Sequence, residues 1–121
     1  MYTAYFYVDS KNGKAPVFDY INALPVPIQA RFKALMEVFK QQGILPFPYA
    51  SHIRGPLWEI RLREQRNRHR ILYAIIEGQR IILLCAFLKR QSKTPLRTIE
   101  EAEHFLQNYY KHKKLMIINP L

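Results

Sequence analysis

An α+β fold is predicted: an N-terminal strand, two helices, an antiparallel sheet of three to four strands, and a C-terminal helix. Three observations predict it. Apolar residues recur at helical spacing in the first third of the chain and again near its C-terminal end. Between these stretches lie three apolar runs of β type, Leu57–Arg63, His69–Ile76 and Ile81–Arg90. A turn signal separates the last two, and a simple meander pairs all three antiparallel.

Each element has a local cause. Tyr2 to Val8 alternates aromatic and small residues and reads as a strand. The cluster Asp9-Ser10-Lys11-Asn12-Gly13 is a turn. Ala15 to Leu24 forms a short helix, with Pro16 near its first position and Val17, Tyr20, Ile21 and Leu24 on one face. Pro25 and Pro27 stop it. From Pro27 the stripe Ile28, Phe32, Leu35, Met36, Phe39 makes a second helix, which Gly43 ends in the left-handed conformation. Ile44 to Pro56 reads as irregular, because prolines stand at 46, 48 and 56. The three strands follow, the last two joined by a tight turn at Gly78-Gln79. Thr98 is expected to cap the final helix, with Glu101 completing a capping box and Ile99, Ala102, Leu106 and Tyr109 on the buried face.

Strand parity assigns the faces. Trp58, Ile60 and Leu62 share one side, and Glu59, Arg61 and Arg63 the other. With Gly78 and Gln79 as the hairpin loop, Arg70 falls opposite Phe87 and Arg68 opposite Lys89. The helices are then expected over Ile71, Tyr73, Ile75, Ile82, Leu84, Ala86 and Leu88. The other face carries Arg68, Arg70, Leu72 and Ala74 with Leu83, Cys85, Phe87 and Lys89, and is expected to lie open. Trp58, Ile60, Tyr73, Leu84, Phe32 and Phe39 are the expected core.

Composition narrows the class of function. A chain of 121 residues is expected to be one domain, 1–121, with 111–121 as a C-terminal tail. Its 19 Lys and Arg against 9 Asp and Glu give a formal charge of +10. Such an excess repels itself in the folded state and suits a phosphate backbone. No apolar stretch approaches the ~20 residues of a spanning helix, so no membrane partner is expected. Met1-Tyr2-Thr3-Ala4-Tyr5 lacks the basic and apolar regions of a signal peptide. Cys85 stands alone, which suits a reducing cytoplasm, and mid-strand it reads as a packed side chain.

The charge is not spread evenly. The meander brings Arg61 and Arg63, Arg68 and Arg70, and Lys89 and Arg90 to one end of the sheet. Like charges on neighbouring strands are destabilising unless an anion belongs there. Guanidinium groups hold phosphates and an aromatic such as Phe87 can stack on an unpaired base, so the face suits RNA. A merely solvated basic face is the plainer alternative, with Glu59 and Glu64 as ordinary ion-pair partners. His52, His69, His104 and His112 show no metal spacing, and no cofactor motif is present.

These residues resemble a family. Gly13-Lys14-Ala15-Pro16-Val17, Leu57-Trp58-Glu59-Ile60-Arg61, Arg70-Ile71-Leu72-Tyr73, the segment from Leu84 through Phe87-Leu88-Lys89-Arg90 to Lys93-Thr94-Pro95, and Ile99-Glu100-Glu101-Ala102 resemble HigB-type toxins of the RelE/ParE superfamily, in its phage-derived, Gp-like branch. The resemblance implies a RelE-like fold and the toxin of a type II toxin–antitoxin pair. It implies a metal-independent, ribosome-dependent mRNA endonuclease that uses the RNA 2′-hydroxyl as nucleophile. A cognate helix-turn-helix antitoxin, HigA-like and joined in a heterotetramer, is the implied partner, with ribosome and mRNA. By matching positions, Arg70, Lys89, Arg61 and Arg63 are the catalytic candidates, and Arg68, Phe87, Arg90 and Lys93 the RNA-binding ones. Arg70 and Lys89 are expected to be exposed, and their loss to leave the fold intact. A gyrase-poisoning toxin of the same fold and a non-catalytic nucleic-acid or ribosome-binding module remain alternatives. The apolar tail Lys113–Leu121 is expected to dock on the chain's own sheet edge, or else on the antitoxin.

Overall fold

A computed structural model describes residues 1–118, so Asn119, Pro120 and Leu121 of the tail lie outside the described residues. The chain runs β1 (Thr3–Tyr7), α1 (Pro16–Asn22), α2 (Val26–Gln42), β2 (Ala50–Arg54), β3 (Leu57–Glu64), β4 (Asn67–Ile76), β5 (Arg80–Leu88), α3 (Leu96–His112) and β6 (Leu115–Ile117). The strands form one open sheet in the order β2-β3-β4-β5-β1-β6. Every neighbouring pair is antiparallel except β1 with β5. The α+β class and the central meander are as expected, but the sheet has six strands among the described residues, not three or four.

The two additional strands are short edge strands. β2 lies in the proline-flanked segment read as irregular, and its prolines fall just outside the paired residues. β6 is formed by the tail, whose Leu115, Met116 and Ile117 pair with Tyr7, Phe6 and Tyr5. The Ile118 amide continues the pairing to the Ala4 carbonyl at 2.9 Å. Lys113, in the left-handed conformation after α3, reverses the chain toward that edge. Self-docking of Leu115–Ile118 is therefore what the fold contains.

Both faces of the sheet are covered. Val17 and Ile21 of α1 and Ile28, Phe32, Met36 and Phe39 of α2 pack on Ile60, Leu62, Ile71, Tyr73, Ile81 and Leu83. On the other face Ala102, Leu106 and Tyr109 of α3 pack on Tyr7, Leu72, Ala74, Ile82, Leu84 and Cys85. The apolar half of the face expected to lie open is thus the seat of α3. Gly43 closes α2 at φ 71°, and a side chain there would also overlap the Tyr2 ring.

A bulge explains why parity misassigned part of β5. Leu72 pairs with Cys85 but Tyr73 pairs with Leu83, leaving Leu84 as the extra residue. From there toward the turn every side chain changes face. Ile81 and Leu83 point to α1 and α2, and Ile82 and Leu84 to α3, the reverse of the sequence expectation. The turn accordingly leaves Glu77, Gly78 and Gln79 between the Ile76–Arg80 pair, not a two-residue loop. On the far side of the bulge the expected pairing holds, with Arg70 opposite Phe87 and the Lys89 amide donating to the Arg68 carbonyl at 2.8 Å.

Two further corrections are local. α3 begins at Leu96 with Pro95 at its cap, and Thr98 sits in the first turn, its amide bonded to the Pro95 carbonyl. Proline carries a φ suited to a helix start, so the helix opens before the hydroxyl that was expected to cap it. Trp58 has the parity of Ile60 and Leu62 but is 39% exposed, whereas Ile60, Tyr73, Leu84, Phe32 and Phe39 are buried. It lies toward the β2–β3 turn, beyond the helical cover, where its ring meets His52 at 5.1 Å.

Phe39→Ala, which empties a site packed edge-on against Tyr73, is expected to cost ~3–5 kcal/mol. Trp58→Ala is expected to cost no more than about 1.5 kcal/mol, because much of that ring already meets water. Urea unfolding of both variants checks the ranking, and a larger loss at Trp58 would contradict it.

Candidate functional site

Cross-strand register assembles the basic cluster. Arg61 on β3 is opposite Arg70 on β4, which is opposite Phe87 on β5. One step further toward the strand ends, Arg63 is opposite Arg68, and the backbone of Lys89 is bonded to that of Arg68. These side chains alternate onto the α3 face of the sheet, but α3 starts only at Leu96 and covers the apolar rows. The cluster lies just beyond its first turn. Arg90 and Lys93 are exposed on the loop between β5 and α3.

The sequence predicts an exposed Arg70, and burial overturns that. Arg70 is 7% exposed, and its Nε lies 2.9 Å from Oε1 of Glu59, itself 2% exposed. The ion pair is close, but the N–H is not aimed at the oxygen, so neither atom completes a directed hydrogen bond. Arg70 Nη1 donates to the His69 carbonyl at 3.1 Å, and the Thr94 hydroxyl donates to Glu59 Oε2 at 3.2 Å. Burial draws the Arg70 pKa downward, helped by Arg61, Arg68 and Arg63 and opposed by Glu59. The same logic governs Lys89. Partial burial holds its ammonium below the usual lysine range, Glu59 pulls it back, and Arg70, Arg61 and Arg68 push it further down.

Phe87 is half-buried against the α3-side core and does not stand free as a platform. His69 is buried on the opposite face, as its parity implies, with Nδ1 2.7 Å from the Tyr20 hydroxyl. Cys85 is buried, its thiol pushed up to about 12 first by desolvation and then by Glu101, which suits packing and not nucleophilic work. Among the described residues, no three His, Cys, Asp or Glu side chains converge as a metal site would require.

A groove of about 850 Å³ opens beside the cluster. Arg31, Leu35 and Val38 of α2 form one wall, the segment Leu45–Tyr49 another, and Arg61, Arg63 and Arg70 reach it from the sheet. Arg31 Nη1 donates to the Arg63 carbonyl at 2.7 Å. Sequence reasoning passed over this wall because a proline-rich stretch without periodicity carries no pattern to read. The usable signal was chemical: Phe47 and Tyr49 alternate with Pro46 and Pro48, which place two rings on backbone of fixed φ.

The basic cluster lies wholly within the part of the chain shared with known proteins. A family model described as phage-derived protein Gp49-like matches residues 19–107. The chain belongs to the Gp49-like family. This Gp49-like protein is also 36% identical, over 98 residues, to the probable endoribonuclease HigB1 of two strains of Mycobacterium tuberculosis. The match covers 80% of this chain and 76% of the relative. The likeness to HigB-type, RelE-like toxins is thereby borne out at the level of family.

In this Gp49-like protein, Arg70→Ala would strand a buried Glu59 carboxylate and is expected to cost about 3 kcal/mol or more. Replacing the pair together, Glu59→Leu with Arg70→Met, is expected to cost far less. Denaturant unfolding distinguishes them: equal losses would mean that the two charges are not coupled.

Proposed function

We propose that this Gp49-like protein is the toxin of a type II toxin–antitoxin pair and cuts mRNA on the ribosome. The observation that carries the reading is the excess of fixed positive charge at one sheet end. Arg61, Arg63, Arg68, Arg70 and Lys89 share that end, and Glu59, paired with Arg70, is the one buried carboxylate among the described residues. The relatives' name, probable endoribonuclease HigB1, supports the same reading.

The chemistry follows from those groups. The RNA 2′-oxygen attacks the adjacent phosphorus, the bond to the 5′-oxygen breaks, and a cyclic phosphate and a 5′-hydroxyl result, the departing oxygen taking its proton from water. Lys89, its ammonium weakened by burial and by three arginines, accepts the 2′-hydroxyl proton. Arg61, Arg63 and Arg68 hold the non-bridging oxygens as charge develops, the fork of each guanidinium matching two of them. Arg70, locked against Glu59, acts through Lys89 and is a positioning residue. Arg90, Lys93 and the exposed edge of Phe87 extend the RNA path toward α3. The groups that meet the phosphate are all cations of the chain itself, so the reaction runs without a metal. A helix-turn-helix antitoxin of HigA type, in a heterotetramer, restrains the toxin, and the cytoplasm with its ribosomes is the place of action.

Primer extension after brief induction tests this reading. Discrete in-frame cuts, lost with Lys89→Ala, are expected. Intact transcripts with broken DNA would favour gyrase poisoning, and intact transcripts with intact DNA a binding module without chemistry.

A second measurement tests the role of Lys89. A base must be deprotonated to act, so activity should rise with pH through the lowered Lys89 pKa, below the ordinary lysine range. Lys89→Arg keeps the charge but removes that titration, and should move the rising limb to higher pH with a large loss at neutral pH. An unchanged profile would assign the base elsewhere.

A further inference from the structure

The proline-braced segment Leu45–Tyr49 presents two aromatic rings to water beside the arginines. Phe47 is 78% exposed and Tyr49 50% exposed. The backbone that carries them is fastened. Pro46 and Pro48 fix φ, the Tyr49 amide closes a turn on the Pro46 carbonyl at 2.8 Å, and the Arg61 amide donates to the Tyr49 carbonyl at 2.8 Å. Rings held so firmly and left so exposed are preorganised for a ligand and contribute little to the core. The Arg61 guanidinium lies 5.7 Å from the Phe47 ring centroid, a cation–π distance.

The groove that Tyr49 lines has the size of a small-ligand site, for which ~300–1,000 Å³ is usual. Its charged lining residues are all arginines, Arg31, Arg61, Arg63 and Arg70, with no acid among them. Exposed rings beside guanidinium groups fit an unpaired base next to its phosphate, whereas bases in a duplex are stacked away from any such platform. Arg61 belongs both to this groove and to the cross-strand row with Arg70. We infer that Phe47 and Tyr49 form a stacking subsite for a single-stranded RNA base next to the phosphate held by the basic cluster. The inference rests on the RNA-cutting reading above and adds to it a binding element outside the expected catalytic face.

Binding of a fluorescent single-stranded 2′-O-methyl RNA hexamer, followed by anisotropy at low salt, tests it. The probe has no 2′-hydroxyl nucleophile, so binding is read independently of cleavage. Phe47→Ala and Tyr49→Ala should each weaken binding by about fivefold or more. Phe47→Trp should restore it and Phe47→Leu should not. Both residues are exposed, so melting should be unchanged. The salt slope should also stay constant in these variants but fall by about one with Arg63→Ala, which removes a phosphate contact. Wild-type binding untouched by both alanine variants would overturn the subsite while leaving the nuclease reading intact. Retained, ring-dependent hexamer binding without cuts in mRNA would uphold the subsite and defeat the nuclease reading. Loss of antitoxin binding in the alanine variants, with hexamer binding unchanged, would make the rings a protein surface and overturn the proposal.

Discussion

The buried pair of Glu59 and Arg70 is the interaction on which the basic sheet end depends. Arg61 faces Arg70 and Arg63 faces Arg68 across neighbouring strands, an arrangement that opposes pairing wherever it occurs. One carboxylate, placed a step along β3 and almost closed to solvent, offsets part of that repulsion from within. Its second oxygen is taken by Thr94, which ties the entry to α3 to the same centre. Removing the carboxylate would leave the arginines unopposed, and removing Arg70 would leave a charge in a dry place. Strand pairing, the start of α3 and the field around Lys89 thus share one anchor.

That arrangement divides the α3 face of the sheet into two territories. Where the strands carry Leu72, Ala74, Ile82 and Leu84, α3 lies down and excludes water. Where they carry arginine, no helix covers them. The boundary falls at Pro95, since proline opens the helix there and Thr94 is held to Glu59. Exposed Arg63, the half-buried Arg61, Arg68 and Lys89, and the stiff aromatic segment therefore meet at the rim of a packed scaffold, which gives that surface a fixed geometry.

Alternation made the faces of Arg61, Arg70 and Phe87 legible in the sequence, but the Arg70–Phe87 register came out right because two offsets cancel, a turn longer by one residue and the bulge at Leu84. The Leu84 bulge was not legible, since an extra apolar residue in an apolar strand leaves no mark on composition. Trp58 shows a related limit: alternation gives its side of the sheet but not where the helices overhead end. The amphipathic stripe of α3 demanded an apolar surface without saying which face would supply it. β2 was hidden by the prolines around it, and Phe47 and Tyr49 by the lack of any periodic pattern in their segment. Among the candidate residues, Arg70 was correctly placed beside Arg61 but its burial depended on Glu59, whose role as partner emerges only in three dimensions.

The position of β1 has a consequence for how the chain is made. Its partners are β5 and β6, so β1 is seated between two strands that follow it after all the others. Such pairing cannot begin until β5 has emerged, because it requires contacts of large sequence separation. During synthesis α1 and α2 therefore wait with Ile28, Phe32 and Phe39 short of their full cover. The sheet is complete only once β6 has emerged, whereas the β3–β4–β5 meander that carries the arginines pairs locally and needs neither β1 nor β6.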